Sequence, residues 1–230
     1  MTPIRLRPVW TPFTRVSAQL ALLTAAMIGL GFLVTHVLMP HWPLTLEDPA
    51  VRALVAARTP MWNSISNWVS LLAYTAGLAT AIIVSGLAMR FAYGRWREAG
   101  FVAAAFLAQL MVFVITSRVV QRARPRVLQL DDFPPNQSFP SGHTSAAIAV
   151  YGGIALVLAM HAKSRAARVA WLLVLPVIPL AVAVSRSYRG MHYPSDTAGS
   201  FIVGFGCLWI LYRVIFQVSN SEDRAGHAVP

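Results

Sequence analysis

Six long apolar stretches constrain this chain more than any other feature of its sequence. They cover residues 16–38, 68–89, 99–117, 144–160, 169–184 and 197–212. A helix that crosses the hydrocarbon core of a bilayer needs about 20 apolar residues, and about 17 suffice. The composition agrees, since 57% of the 230 residues are hydrophobic and only 12% are charged. The sequence therefore predicts an all-α fold, in which one domain over residues 1–230 forms a polytopic six-helix membrane bundle.

The distribution of basic residues predicts the orientation of the bundle. Clusters of Arg and Lys lie at 5–15, 90–97 and 163–168, and all three fall on the same side of the predicted bundle. Because short cytoplasmic loops are rich in Arg and Lys, we expect this side and both termini to be cytoplasmic, in a bacterial inner membrane. The net charge of +11 comes from such short clusters and not from one basic run, which argues against nucleic acid as a partner.

The first outside loop, residues 41–67, is predicted to hold a short interfacial helix. Asp48 is the expected N-cap and Pro49 the expected first-turn residue, because proline suits the start of a helix. The helix is expected to end before Pro60.

The other two outside loops carry arginines that oppose the topology signal. One holds Arg118, Arg122, Arg124 and Arg126, and the other holds Arg186 and Arg189. Charges placed against this signal at a membrane face indicate ligand binding or catalysis. Arginine is also the side chain best shaped to hold two phosphate oxygens at once. Arg189, Tyr188, Arg126, Asp131 and Asp132 are candidates for contact with a substrate headgroup, with a solvated position in the loop as at least an equal alternative.

The stretch "PSGH" at residues 140–143 precedes an apolar run. Ser141 is the predicted N-cap of that helix and Gly142 lies in its first turn, where free backbone N–H groups attract an anion. An isolated Ser-Gly-His is more often only a helix cap. The arginines nearby favour an anion site.

The stretch "SRSYRGMHYPSD" at residues 185–196 precedes the last apolar run. Pro194 is predicted to open that helix, which puts Asp196 in the first turn, within reach of His192. A carboxylate on one imidazole nitrogen leaves the other nitrogen free as a nucleophile or base. Alone, Asp196 is explained by the helix dipole and His192 by an interfacial location. Their convergence with His143 and several arginines favours a catalytic site.

These motifs resemble the signatures of the type 2 phosphatidic acid phosphatase superfamily. The third signature is Ser-Arg, five residues, His, three residues, Asp, and it matches in full from Ser185 to Asp196; the second matches as "PSGH". The first signature, Lys, six residues, then Arg-Pro, is imperfect. Arg124 fits it, but Ser117 stands at the Lys position, so Arg118 or Arg122 is the candidate substitute.

The resemblance implies a role for each matching residue. His192 attacks phosphorus and forms a phosphohistidine, Asp196 orients it, and His143 protonates the leaving oxygen and then activates water. The phosphate oxygens are held by a group of donors, namely Arg124, Arg186, Ser141, the backbone of Gly142, and Arg118 or Arg122. No metal and no cofactor is expected.

The predicted function is therefore an integral membrane phosphatase acting on a lipid phosphate or diphosphate at the outer face of the membrane. Undecaprenyl diphosphate, phosphatidic acid and phosphatidylglycerol phosphate all remain open as substrates, as does the oligomeric state. One alternative is a lipid phosphotransferase with the same site. Another is a non-catalytic binder or transporter of anionic lipids. The expected partners are the lipid substrate and the bilayer.

Overall fold

The structure is a computed structural model that describes residues 10–218. Its α-helices are α1 Trp10–Phe32, α2 Glu47–Ala56, α3 Pro60–Leu71, α4 Thr75–Tyr93, α5 Arg97–Val120, α6 Gly142–Ala147, α7 Gly153–His161, α8 Arg165–Tyr188 and α9 Pro194–Tyr212. Turns of π-helix extend α1 over Leu33–Leu38, join α6 to α7 over Ile148–Gly152 and extend α9 over Arg213–Val218. No strand occurs within residues 10–218, so the predicted all-α class is confirmed.

Six of the described helical segments are long and apolar enough to cross a membrane. They are Phe13–Leu38, Thr75–Tyr93, Arg97–Val120, Gly142–His161, Arg165–Tyr188 and Pro194–Gln217. The predicted six-helix membrane bundle is thus confirmed. The termini beyond residues 10 and 218 lie outside the described residues, so their cytoplasmic location stays a prediction.

The second predicted span, residues 68–89, is interrupted in the structure. Its first residues belong to α3, which ends at Leu71, and α4 begins only at Thr75. The chain turns so tightly here that a Cβ on Gly77 would lie 2.3 Å from the carbonyl oxygen of Leu71. Hydropathy could not reveal this break, because the apolar composition continues through the turn while the direction of the chain changes.

The first outside loop holds two helices and not the single predicted one. The first, α2, ends before Pro60 as expected, but it begins at Glu47 with Leu46 as its N-cap, so the assignment of Asp48 as the cap is wrong. Asp48 lies in the first turn, where it pairs with Arg52 at 2.5 Å. The unpredicted helix is α3, whose cap Thr59 accepts a hydrogen bond from the N–H of Trp62.

The segment Gly142–His161 is the central helix of the bundle. Within it, 67% of the most apolar window is buried, more than in any other described span. It packs against α5, α8 and α9, and the core beside it includes Phe101, Ile148 and Val203, none of which is exposed. Leu107 and Leu173, in contrast, are more than half exposed on the outer surface, as expected for side chains that face lipid. The residues at the start of the central helix are therefore held by three neighbouring helices.

Candidate active site

The start of α6 is fixed against the start of α9. Ser141 caps α6 as predicted, since its Oγ accepts a hydrogen bond from the N–H of Thr144 at 3.4 Å. The N–H of Ser141 donates to the carbonyl of Asp196 at 3.2 Å, and the hydroxyl of Ser200 donates to the carbonyl of Ser141 at 2.9 Å. These bonds join the two sequence motifs directly.

Asp196 lies in the first turn of α9, which begins at Pro194 as predicted. The carboxylate is completely buried and accepts three hydrogen bonds: from the N–H of Tyr193 at 2.8 Å, from the hydroxyl of Ser138 at 2.5 Å and from Nη1 of Arg122 at 2.5 Å. A buried carboxylate is tolerated when donors and a cation surround it in this way.

The tautomer of His192 is set by a backbone carbonyl. Its Nδ1 lies 2.8 Å from the carbonyl oxygen of Ser138, and a carbonyl can only accept, so Nδ1 carries the proton and Nε2 carries the lone pair. Burial is the main cause that lowers the pKa of His192 to about 4, so the imidazole is neutral at physiological pH.

Asp196 is not the direct partner of His192 that the sequence predicts. Its Oδ2 is 3.8 Å from Nδ1, which is too long for a hydrogen bond. Because Asp196 binds the Ser138 hydroxyl, it positions the residue whose carbonyl orients the imidazole. Its contact with His192 is therefore indirect.

Both histidines line one cavity of about 500 Å³, together with Arg124 and Gly142. Nη1 of Arg124 lies 3.4 Å from Nε2 of His192 and 2.7 Å from the carbonyl oxygen of Met191. Burial, followed by the nearby charge of Arg186, lowers the pKa of Arg124 to about 10, which leaves it a cation at neutral pH. The first two N–H groups of α6 come from Gly142 and His143, so backbone donors and a cation lie along the same wall.

The cavity lies below the end of α5 and changes character along its length. Gly142 packs so closely on Phe113 that a Cβ would lie 2.6 Å from the ring. Phe113 is seven residues before Val120, the last residue of α5, so the site lies about 10 Å beneath that helix end. The lining is polar around the histidines, whereas α4 and α5 contribute an apolar part that includes Leu78, Phe106 and Leu110.

Arg186 carries two buried nitrogen atoms that lack a hydrogen-bond partner within the described residues. The side chain is fully buried, and its Nη1 donates to Oδ2 of Asp131 at 2.8 Å, while Nε and Nη2 have no hydrogen-bond partner within residues 10–218. The guanidinium carbons of Arg186 and Arg124 lie 5.4 and 5.9 Å from the ring of Phe133, which lines the cavity, and the ring of His143 is 5.4 Å from it. Buried donors without a partner are costly, and a phosphate oxygen is an acceptor of the kind that would pair them. Arg186 itself is not among the residues that line the cavity.

The side chains of Asp131 and Arg189 are buried and paired with each other, so the solvated alternative does not apply to them. The side chain of Asp131 is 8% exposed and accepts hydrogen bonds from Nη2 and Nε of Arg189 at 2.6 and 2.8 Å, and from the hydroxyl of Tyr74 at 3.0 Å. Burial alone would raise the pKa of Asp131, but the bonds from Arg189 and the charge of Arg186 outweigh it and hold the pKa at about 2. The sequence signal for this cluster is only that an acidic residue, Asp131, follows several arginines in the same outside loop.

Neither candidate for the missing lysine lines the cavity. Arg118 is exposed near the end of α5. Arg122 is 1% exposed, but its guanidinium binds the carboxylates of Asp196 and Glu47, the latter at 3.1 Å, and the hydroxyl of Ser195 at 2.7 Å. Arg122 therefore anchors Asp196 to α2, and a phosphate contact by Arg118 or Arg122 stays a prediction that the lining of this cavity does not support. Ser141 is fully buried and also lies behind the cavity wall.

Comparison with known proteins identifies the family of this chain. The sequence profile of the PAP2 superfamily matches residues 98–219, which include all three signatures. The chain belongs to the PAP2 superfamily.

Two curated relatives have names that refer to lipid phosphates. The chain is 34% identical over 170 residues to a probable diacylglycerol pyrophosphate phosphatase 1 of Schizosaccharomyces pombe, covering 67% of this chain and 56% of that protein. It is 28% identical over 165 residues to phosphatidylglycerophosphatase B of Bacillus subtilis, covering 69% of this chain and 77% of the relative. This PAP2 chain thus spans little more than half of the yeast relative's length.

Two solved structures share the fold. A transmembrane PAP2 type phosphatidylglycerolphosphate phosphatase from Bacillus subtilis superposes with a TM-score of 0.70 at 23% identity, covering 88% of this chain and 94% of that one. Aquifex aeolicus LpxE superposes with a TM-score of 0.54 at 20% identity, covering 72% and 94%. The six-helix arrangement of this chain is therefore one that solved membrane proteins adopt.

Proposed function

We propose that this PAP2 protein is a membrane phosphatase that hydrolyses a lipid phosphate or diphosphate through a phosphohistidine on His192, without a metal ion. The observation that carries the proposal is the orientation of His192. Its Nδ1 proton is held by the Ser138 carbonyl at 2.8 Å, which leaves the Nε2 lone pair beside Arg124, in the cavity shared with His143. An imidazole fixed in this tautomer is a ready nucleophile.

In the first step, Nε2 of His192 attacks phosphorus and the bond from phosphorus to the leaving oxygen breaks. His143, in its protonated form, gives a proton to that oxygen, so the lipid leaves as an alcohol or, from a diphosphate, as a monophosphate. His143 can take this role because it lines the same cavity as His192. The product of the step is a phosphohistidine and a neutral His143.

In the second step, neutral His143 accepts a proton from water while the water oxygen attacks phosphorus. The bond between phosphorus and Nε2 of His192 breaks, inorganic phosphate is released and both histidines return to their starting states. The same residue thus serves as acid and then as base.

The charge that develops on the phosphate oxygens is neutralised by arginine. Arg124 lines the cavity, and Arg186 has Nε and Nη2 unpaired within the described residues. Phosphoryl transfer depends mainly on positioning and charge stabilisation, which two guanidiniums and the first-turn N–H groups can supply. These groups support the proposal that no metal is needed.

A lipid substrate is favoured by the shape of the cavity and by the relatives. The polar end of the cavity lies about 10 Å below the end of α5, and it continues deeper into an apolar part between α4 and α5. The curated relatives are named for diacylglycerol pyrophosphate and phosphatidylglycerophosphate. The site lies at the end of the bundle opposite the basic clusters at 90–97 and 163–168, which supports an active site on the outer face of the inner membrane.

The test measures inorganic phosphate released from a panel of lipid phosphates by purified protein in detergent with EDTA present. We expect His192→Ala to abolish release and the acid-labile phosphoprotein label, whereas His41→Ala, a change to an exposed histidine of the first outside loop, leaves both intact. Wild-type protein that binds these lipids but releases no phosphate would instead be a binder or transporter. Transfer of the label to an added lipid acceptor in preference to water would indicate the phosphotransferase.

A further inference from the structure

One polar side chain lies within the apolar part of the cavity. Gln109, on α5, is 1% exposed and lines the cavity near Leu78, Phe106 and Leu110. Its Nε2 donates a hydrogen bond to Oγ of Ser145 at 2.7 Å, but its Oε1 has no hydrogen-bond partner within residues 10–218.

The direction of this amide is fixed by counting hydrogens. The hydroxyl of Ser145 has one hydrogen, and it is directed to the backbone carbonyl of Ser141 at 2.9 Å or of Gly142 at 3.2 Å. The Ser145 oxygen can therefore only accept a hydrogen bond from Gln109. The Gln109 amide must turn its N–H toward Ser145, and its Oε1 is left without a donor. Buried carbonyl oxygens are nearly always paired, so the free Oε1 in a cavity wall indicates a donor on the ligand.

We infer that Gln109 reads a hydrogen-bond donor, a hydroxyl or an amide N–H, on the lipid portion of the substrate. The inference rests on the proposed function, because it takes the cavity to be the substrate site. Gln109 precedes Phe113 by four residues, which is about 6 Å along the helix, and Phe113 packs on Gly142 at the level of the phosphate donors. The donor would lie one helical turn beneath the phosphate, where the second carbon of a lipid backbone carries its substituent.

This location separates lipid phosphates by chemistry. A lipid with a free hydroxyl or an amide-linked chain at that carbon satisfies Oε1. Diacyl esters carry only hydrogen-bond acceptors at that carbon, and isoprenyl chains carry neither a donor nor an acceptor. The Oε1 of Gln109 therefore stays unpaired when either lipid fills the cavity. We expect the donor to raise kcat/KM about tenfold, which corresponds to about 1.4 kcal/mol.

The experiment uses the full chain in detergent and two substrates with the same acyl chain. One is a 1-acylglycerol 3-phosphate with its free hydroxyl, and the other is the acylpropanediol phosphate that lacks it. We expect wild type to prefer the hydroxyl substrate about tenfold. Gln109→Met should reduce the ratio to about one by loss on that substrate alone. Gln19→Met is the matched control, because it makes the same change at an exposed position of α1 outside the cavity lining, and it should keep the ratio.

Equal kcat/KM values of wild type for the two substrates would overturn the inference and leave the proposed function standing. So would a Gln109→Met variant that loses activity on both substrates equally, because Gln109 would then only support Ser145. Should Gln109→Met fail to fold, Gln109→Asn, which withdraws the carbonyl by one carbon, must also lose the preference. Failure of wild type to release phosphate from any lipid phosphate would remove the proposed function, and the inference with it.

Discussion

Asp131 offers the sharpest test of how the site is built, because one carboxylate holds both Arg186 and Arg189. It accepts from Nη1 of Arg186 at 2.8 Å and from Nη2 of Arg189 at 2.6 Å. Its pKa of about 2, against an ordinary 3.8, corresponds to about 2 kcal/mol of interaction with its surroundings. Removing one member of a buried ion pair costs about 3–5 kcal/mol, because a charge is left uncompensated.

The change Asp131→Asn should lower kcat about 100-fold without raising KM. The amide keeps the volume but removes the charge that directs Arg186, and a displacement of about 1 Å in such a group costs on the order of 100-fold in rate. The added net positive charge meanwhile attracts the anionic substrate, so ground-state binding should not weaken. Phosphate release as a function of lipid phosphate concentration measures the two constants separately.

The control is Asp132→Asn, which makes the same charge change on the neighbouring exposed side chain. It should leave both constants within about twofold of wild type, since exposed charges contribute little. Thermal unfolding in detergent shows whether Asp131→Asn remains folded at the assay temperature. A folded Asp131→Asn variant with kcat within threefold of wild type, or an equal loss in both variants, would refute the reasoning.

Three further outcomes are expected. Arg118→Ala should keep kcat/KM within about twofold of wild type in the phosphate-release assay, because Arg118 is exposed and lies outside the cavity lining. A tenfold loss of kcat/KM would instead show that Arg118 contacts the substrate. Gly142→Ala should lower the free energy of unfolding by about 1–3 kcal/mol, since its Cβ would lie 2.6 Å from Phe113, and Phe113→Leu in the same chain should recover part of that loss. The pKa of His192 is lowered from 6.5 to about 4 in the folded chain. Between pH 6.5 and pH 4 the unfolded chain therefore binds a proton on this histidine that the folded chain does not, and the free energy of unfolding of wild type should fall by about 2 kcal/mol from pH 7 to pH 5. Thermal unfolding of His192→Asn should lack that part of the pH dependence, and an identical pH dependence would contradict it.

The parts of the site predicted from sequence are those set by local chemistry. Ser141 as the cap of α6 and Pro194 as the first residue of α9 depend on neighbouring residues alone, and both predictions are confirmed. The apolar stretches similarly located the six spans, because hydropathy over about 20 residues is a local property.

The remaining parts depend on which loops meet. One of the two carboxylate partners of Arg122 is Glu47, 75 positions away, and nothing in either local sequence selects that pairing. The Ser138 carbonyl replaced Asp196 as the partner of His192 because backbone direction in a loop cannot be read from composition. The break between α3 and α4 escaped prediction for the same reason.

The bond between Glu47 and Arg122 has a consequence for the order in which the site can be completed. Glu47 enters the membrane region early in synthesis, Arg122 follows after the third span, and Asp196 arrives only with the sixth. Until the last helix is in place, the Arg122 guanidinium lacks one of its two carboxylates and His192 lacks the support behind Ser138. Under the proposed function, phosphate release is therefore expected only from chains in which the sixth span has been inserted beside the first outside loop.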